Sequence, residues 1–267
     1  MPGSLSNYAE NKLLDMTFGG VPWNPPPILY FGYFVTAPAE EGAGTEPNSG
    51  NYARVGIENN SSLFPVTSNQ IKTTALPVQF LGATANHGLV IAIGIFDALV
   101  NGNLLIYGQL EEPVMIETGD AFKLPPGFEI KFNATGTYSN FTKNSWLNHL
   151  LGGTPFNALA NLFFGYSTTL STPAVPGTEP TAGSYARVQA ANTSLLFEPS
   201  YDGSKRLIKD INFVEADALQ GTIVEGSVWT AQVGGNQLAA IPLGAPYPVG
   251  ANVQPYFAAN ELILKLD

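Results

Sequence analysis

The chain holds 267 residues but only three arginines, and two of them occupy the same short motif. Arg54 lies in Tyr52-Ala53-Arg54-Val55 and Arg187 in Tyr185-Ala186-Arg187-Val188. A glutamate stands eight residues before each, Glu46 and Glu179, both inside Thr-Glu-Pro. A guanidinium and a carboxylate form a planar, two-pronged hydrogen-bonded pair. In an extended segment Tyr52 and Arg54 share one face, and the preceding loop can fold its glutamate back onto it. The spacing predicts an internal loop clamp, Glu46 with Arg54 and Glu179 with Arg187. The rival reading is an arginine that grips a partner.

Other chemistry is scarce. The two histidines, His87 and His149, have no spaced histidine or acidic partner, so no metal site is expected. Glu40-Glu41 and Glu111-Glu112 are adjacent carboxylates, but neighbours on an extended chain point to opposite faces and build no shared site. They read as solvated charges. The absence of cysteine excludes a disulfide framework, a thiolate nucleophile and a Cys-ligated metal. Neither a phosphate-cradling glycine loop with its lysine nor a G-x-S-x-G elbow occurs. The sequence therefore assigns no catalytic residue, cofactor or metal. Trp23 with Asn24, an aromatic beside an amide on a predicted loop, is the one tidy candidate for a partner contact. The aromatics around it (Tyr30, Phe31, Tyr33, Tyr52) sit mostly in predicted strands and read as core.

Composition narrows the partners. A net charge of −10 and a pI near 4.6 would repel a phosphate backbone, so no nucleic acid is expected. No apolar run reaches membrane-spanning length, and the N-terminus lacks the pattern of a signal peptide. These features predict cytoplasmic synthesis. Charged residues make up only 12%, while 28 glycines and 21 prolines break the chain often. Short strands joined by many turns follow from that balance.

What positions the motifs is a repeat. From Ser6 to Pro113, an offset of 133 gives 38 identities in 108 positions. A period this long is that of a small domain rather than a solenoid unit. The expected fold is mainly β: two tandem β-sandwich-like domains, residues 1–135 and 136–267, each with a short leading helix. The helices are predicted over Ser4–Phe18 and Ser139–Leu151, each stopped by a Gly-Gly pair. Strands are predicted over 28–36, 52–57, 75–80, 89–96, 104–110 and 128–132, with matching ones at 162–169 and 185–190. Asn101-Gly102 is a hairpin signal. The linker is expected near Asn133–Tyr138. Late in the copies the match needs one extra residue in the second, in the loop region after Pro246.

The run Ser4-Leu5-Ser6-Asn7-Tyr8-Ala9-Glu10-Asn11-Lys12-Leu13-Leu14-Asp15, followed by Phe18-Gly19-Gly20, resembles the opening of small tailed-bacteriophage virion proteins. These are often called tail-fibre-like, and related small β proteins serve as capsid cement. The similarity continues through Tyr30-Phe31-Gly32, the Thr-Glu-Pro and Tyr-Ala-Arg-Val motifs, and Gly94-Ile95-Phe96-Asp97-Ala98. It implies a virion structural protein without catalysis. The leading expectation is a capsid cement or decoration protein that binds the major capsid protein, with Met1–Asn7 as an arm. If it also binds itself as a homotrimer, the doubling presents six similar lobes about a threefold axis. The alternative is a tail-fibre or baseplate component contacting a host-surface glycan.

Overall fold

Both leading helices start and stop by the same chemistry. In the computed structural model, which describes residues 2–42, 44–132 and 138–266, α1 spans Asn7–Gly19 and α2 spans Asn140–Leu150. Ser6 Oγ accepts from the Ala9 amide and Ser139 Oγ from the Thr142 amide, each capping a free first-turn donor. At the other end Gly20 and Gly153 turn left-handed, at φ +64° and +61°. The Val21 amide then reaches the Asp15 carbonyl, and the Thr154 amide the Asn148 carbonyl, both at 3.1 Å. That six-residue closure satisfies a last-turn carbonyl.

The strands of the first repeat are β1 (Pro2–Leu5), β2 (Ile28–Phe34), β3 (Val55–Glu58), β4 (Ile71–Thr73), β5 (Val78–Gln79), β6 (Gly88–Phe96), β7 (Leu104–Ile116), β8 (Lys123–Leu124) and β9 (Glu129–Phe132). Those of the second are β10 (Asn161–Ser167), β11 (Val188–Ala191), β12 (Ser204–Arg206), β13 (Ile211–Asn212), β14 (Gly221–Trp229), β15 (Gln237–Val249), β16 (Tyr256–Phe257) and β17 (Ile263–Lys265). The molecule is mainly β, with antiparallel pairing dominant. A seven-stranded sheet runs β3-β2-β6-β7-β1-β9-β4, and β5 pairs with β8. The second copy keeps β11-β10-β14-β15, β12-β17 and β13-β16. Phe31, Tyr33, Phe64, Ile93 and Ile95 are buried in one copy, and Leu162, Phe164, Tyr166, Phe197 and Val228 in the other.

Met1–Asn7 is not a free arm where it is described. β1 pairs antiparallel with β7 (Gly3 opposite Gly108) and parallel with β9 (Pro2 opposite Lys131). The backbone groups an arm would offer a partner are used within the sheet. The corresponding stretch of the second copy holds the predicted linker. Its residues 133–137 lie outside the described residues, while Tyr138 bridges Ala239 just as Leu5 pairs with Ile106. The extra residue of the second copy falls between Phe257 and Ile263. Val78–Leu124 maps onto Ile211–Phe257 at an offset of 133, but Lys72–Ile130 maps onto Lys205–Leu264 only if the second partner shifts by 134.

Compactness does not follow the repeat boundary. One unit comprises Met1–Glu10, Asn24–Ala134 and Asn144–Phe156, and the other Asn11–Trp23, Thr135–Lys143 and Asn157–Asp267. Each repeat thus gives the body of its leading helix to the unit built on the other repeat's sheet. In unit 1, Asn148 of α2 accepts from the Thr67 amide and donates to the Thr67 carbonyl, both at 2.9 Å, and Asn59 Nδ2 holds the Leu150 carbonyl. In unit 2, Asp15 of α1 accepts from the Ser200 amide, and Asn192 Nδ2 holds the Thr17 carbonyl. Buried side-chain amides of this kind fix a helix end in one place.

Candidate functional site

The Glu–Arg motif builds two equivalent clusters. Arg54 Nη2 donates to Glu46 Oε2 at 2.6 Å and Nε to Oε1 at 3.0 Å. Its Nη1 reaches the carbonyls of Ala98 and Asn101, at 2.9 and 2.6 Å. The guanidinium lies over the Phe96 ring, 3.3 Å from its centre. In the second copy Arg187 Nη2 donates to Glu179 Oε2 at 2.7 Å and Nε to Oε1 at 2.9 Å. Its Nη1 reaches the carbonyls of Ala231 and Gly234, both at 2.7 Å, and Trp229 supplies the ring, 3.5 Å away. Four of the five N–H donors are used in each case. Each cluster joins three segments: the long loop carrying the glutamate, the extended residues before β3 or β11, and a hairpin turn. A planar fork stacked on a ring suits arginine and not lysine.

Three contributors escaped the sequence reading. The Tyr52 hydroxyl donates to Glu46 and accepts from the Tyr33 amide, and Tyr185 does the same between Glu179 and Tyr166. Burial, then the neighbouring carboxylate, pushes both phenols far above their ordinary value. The second contributor is the aromatic platform, Phe96 or Trp229. The third is glycine: a Cβ on Gly32 would stand 2.5 Å from Glu46 Oε1, and one on Gly165 would stand 2.6 Å from Glu179 Oε1. The recurrence of Phe31-Gly32-Tyr33 as Phe164-Gly165-Tyr166 was the available signal for it.

The remaining candidates are scattered. Trp23 is half-buried and Asn24 exposed, in the irregular stretch between α1 and β2. His87 is buried, with Nδ1 at 2.6 Å from the Tyr33 hydroxyl and Nε2 at 2.9 Å from the Gly50 carbonyl. The second copy places Gln220 in the same relay between Tyr166 and the Gly183 carbonyl. An amide and a neutral imidazole both offer one acceptor and one donor there, so the position serves hydrogen bonding. Glu111 and Glu112 lie on β7, both exposed. Among the described residues, no three His, Asp or Glu side chains group as metal ligands would. No described helix is long and apolar enough to cross a membrane.

Both repeats match one family model, described as podophage GP4 fiber I protein gp80, over residues 4–129 and again over 137–265. The chain belongs to this family. It is a bacteriophage structural family, and the double match shows that the present chain carries its fold twice. No curated protein matches the chain. The fibre family's two matched segments follow the repeats in sequence, whereas the compact units exchange helix bodies between them.

Proposed function

We propose that the chain is a fibre component of a tailed bacteriophage that contacts a glycan on the host surface and carries out no catalysis. The observation that carries this reading is the family match over both repeats. It favours a fibre over the capsid cement suggested by the sequence alone. The two Glu–Arg clusters act as clamps in this reading. Each holds a long loop and a hairpin turn on a rigid sheet, as a surface that must present fixed contacts requires.

Immunogold labelling of purified virions tests the placement. Label at the tail, at a few copies per particle, is the expected result, and label spread over the shell at hundreds of copies overturns it. Adsorption tests the contact. The purified protein should compete with phage for host cells, and periodate oxidation of the cell-surface sugars should abolish that competition.

A further inference from the structure

The two copies differ most sharply at one buried place. In the first, Phe34, Ala92, Phe96 and Leu104 form an apolar cluster with Tyr107 packed against it. At an offset of 133 these positions become Ser167, Glu225, Trp229, Gln237 and Ala240, while Pro38 becomes Ser171 and Gly94 becomes Ser227. Several apolar side chains have thus turned polar together around one point of one fold. Glu225 is 1% exposed. Its carboxylate accepts from the Ser171 amide at 2.8 Å and from the Ser171 hydroxyl. Gln237 Nε2 and the Gly177 amide in turn hold that hydroxyl, at 3.0 and 2.7 Å.

No basic side chain pairs with Glu225 among the described residues. Ser167 Oγ, fully buried, has no hydrogen-bond partner there. An unpaired buried carboxylate is costly, and the first copy shows that the fold stands without one. Where Tyr107 fills space in the first copy, Ala240 leaves it open. A cavity of about 150 Å³ results, lined by Glu225, Ser171, Thr172, Leu170, Ala240 and Pro242. Only two of the carboxylate's roughly four acceptor positions are taken by these bonds.

We infer that this cavity in unit 2 is a saccharide site, in which Glu225 accepts two adjacent hydroxyls of one sugar ring. Ser171 orients the carboxylate, Thr172 adds a hydroxyl, and Leu170, Ala240 and Pro242 meet the ring's apolar face. A few fixed polar groups in a mostly apolar concavity is the general form of a small-ligand site. The inference rests on the reading of the chain as a glycan-contacting fibre and names where the contact lies.

The test uses the full chain and a panel of methyl pyranosides of glucose, galactose, mannose and N-acetylglucosamine, read by saturation-transfer NMR and calorimetry. Two variants import first-copy residues the fold already accepts, Glu225→Ala and Ala240→Tyr. At least one pyranoside is expected to bind the wild type, and both variants should weaken it tenfold or more. Wild-type-like binding by both variants would overturn the pocket assignment and leave the fibre–glycan reading standing. If no pyranoside binds while the protein still competes for untreated but not periodate-treated host cells, the pocket assignment again fails alone. Absence of both signals would remove both.

Discussion

The Asp15 carboxylate and the Lys205 ammonium meet at 2.6 Å in unit 2, although 190 residues separate them in the chain. Asp15 belongs to the first repeat's helix, and Lys205 to the second repeat's β12. The same oxygen also accepts from the Ser200 amide and hydroxyl, each at 2.8 Å. In unit 1 the counterparts are Asn148 and Lys72, and they do not pair in this way. Asn148 bonds the Thr67 backbone, while Lys72 Nζ donates to the Phe64 and Pro65 carbonyls at 3.1 and 2.8 Å. Two copies of one scaffold have settled the same buried lysine by different means.

Replacing Asp15 by Asn gives unit 2 the first unit's residue without its geometry. Lys205 keeps the Glu198 carbonyl but loses the one carboxylate it contacts, at a cost of about 1–3 kcal/mol. The effect has a pH signature. Burial pulls the Asp15 carboxyl up, but the hydrogen bonds from Lys205 and Ser200 outweigh it and hold it below its ordinary value. A depressed carboxyl adds stability above its unfolded value and loses it as pH falls through the folded one. Urea unfolding should therefore show the full deficit of D15N at pH 7 and a smaller one below about pH 4. Equal midpoints at pH 7 would contradict the pairing.

Lys72 predicts a second rise of stability with pH, now in the alkaline range. Burial pushes its ammonium down to about 8. Between that value and the ordinary lysine value of about 10.4, the unfolded chain binds the proton and the folded one does not. Stability then rises with pH across this window. Below it both states are charged and the full penalty of burying the charge applies. The stability of the wild type relative to Lys72→Met should climb from pH 8 to 10, measured by chemical unfolding at each pH. A flat difference would mean that the lysine keeps its charge.

Much of this architecture was legible because the chain supplies its own comparison. Identity at Gly19-Gly20 and Gly152-Gly153 located the helix stops, the aromatic-rich run after Pro27 located the strand around Phe31, and Asn101-Gly102 located the hairpin after Phe96. Strand ends were harder. Tyr52–Arg54 lies outside β3, and its Tyr52 and Arg54 side chains serve the clamp. β7 runs on through Glu111-Glu112-Pro113 to Ile116, past the point where alternation fades. Short β4 and β8 carry too few residues for a period. The helix exchange was illegible for a different reason. A helix's pattern says which face is apolar and not which sheet covers it, and here Asn148 and Asp15 are the polar residues that record the choice. The polar substitutions around Glu225 were likewise visible one by one. Their convergence needed the register that places Ala92 opposite Gln109 and Glu225 opposite Pro242.

His87→Gln separates hydrogen bonding from chemistry at the first copy's histidine. Gln220 already performs the relay in the second copy, so the variant should melt within about 1 kcal/mol of the wild type, whereas His87→Ala orphans the Tyr33 hydroxyl and should cost about 1–3 kcal/mol. Thermal unfolding of the two variants reads this directly. An equal loss in both would point to a role of the imidazole that an amide does not fill.

The clamp is tested by the smallest change that keeps its charge. In Arg54→Lys an ammonium replaces the fork. It can reach Glu46 or the turn carbonyls of Ala98 and Asn101, but it cannot hold both while lying flat on Phe96. The loss should be about 1.5–3 kcal/mol, the range for hydrogen bonds to charged groups. The more specific readout is local. Hydrogen exchange should quicken at the amides of the 37–51 loop and the 97–103 turn. The matching segments of the second copy, 170–184 and 230–236, keep Arg187 and should be unchanged, which makes them an internal control. A global loss shared by both copies would assign the effect to unfolding as a whole. Unaltered exchange at 37–51 would show that the loop is held by its backbone bonds, such as the Val35 amide to the Thr45 carbonyl at 2.8 Å, and not by the arginine.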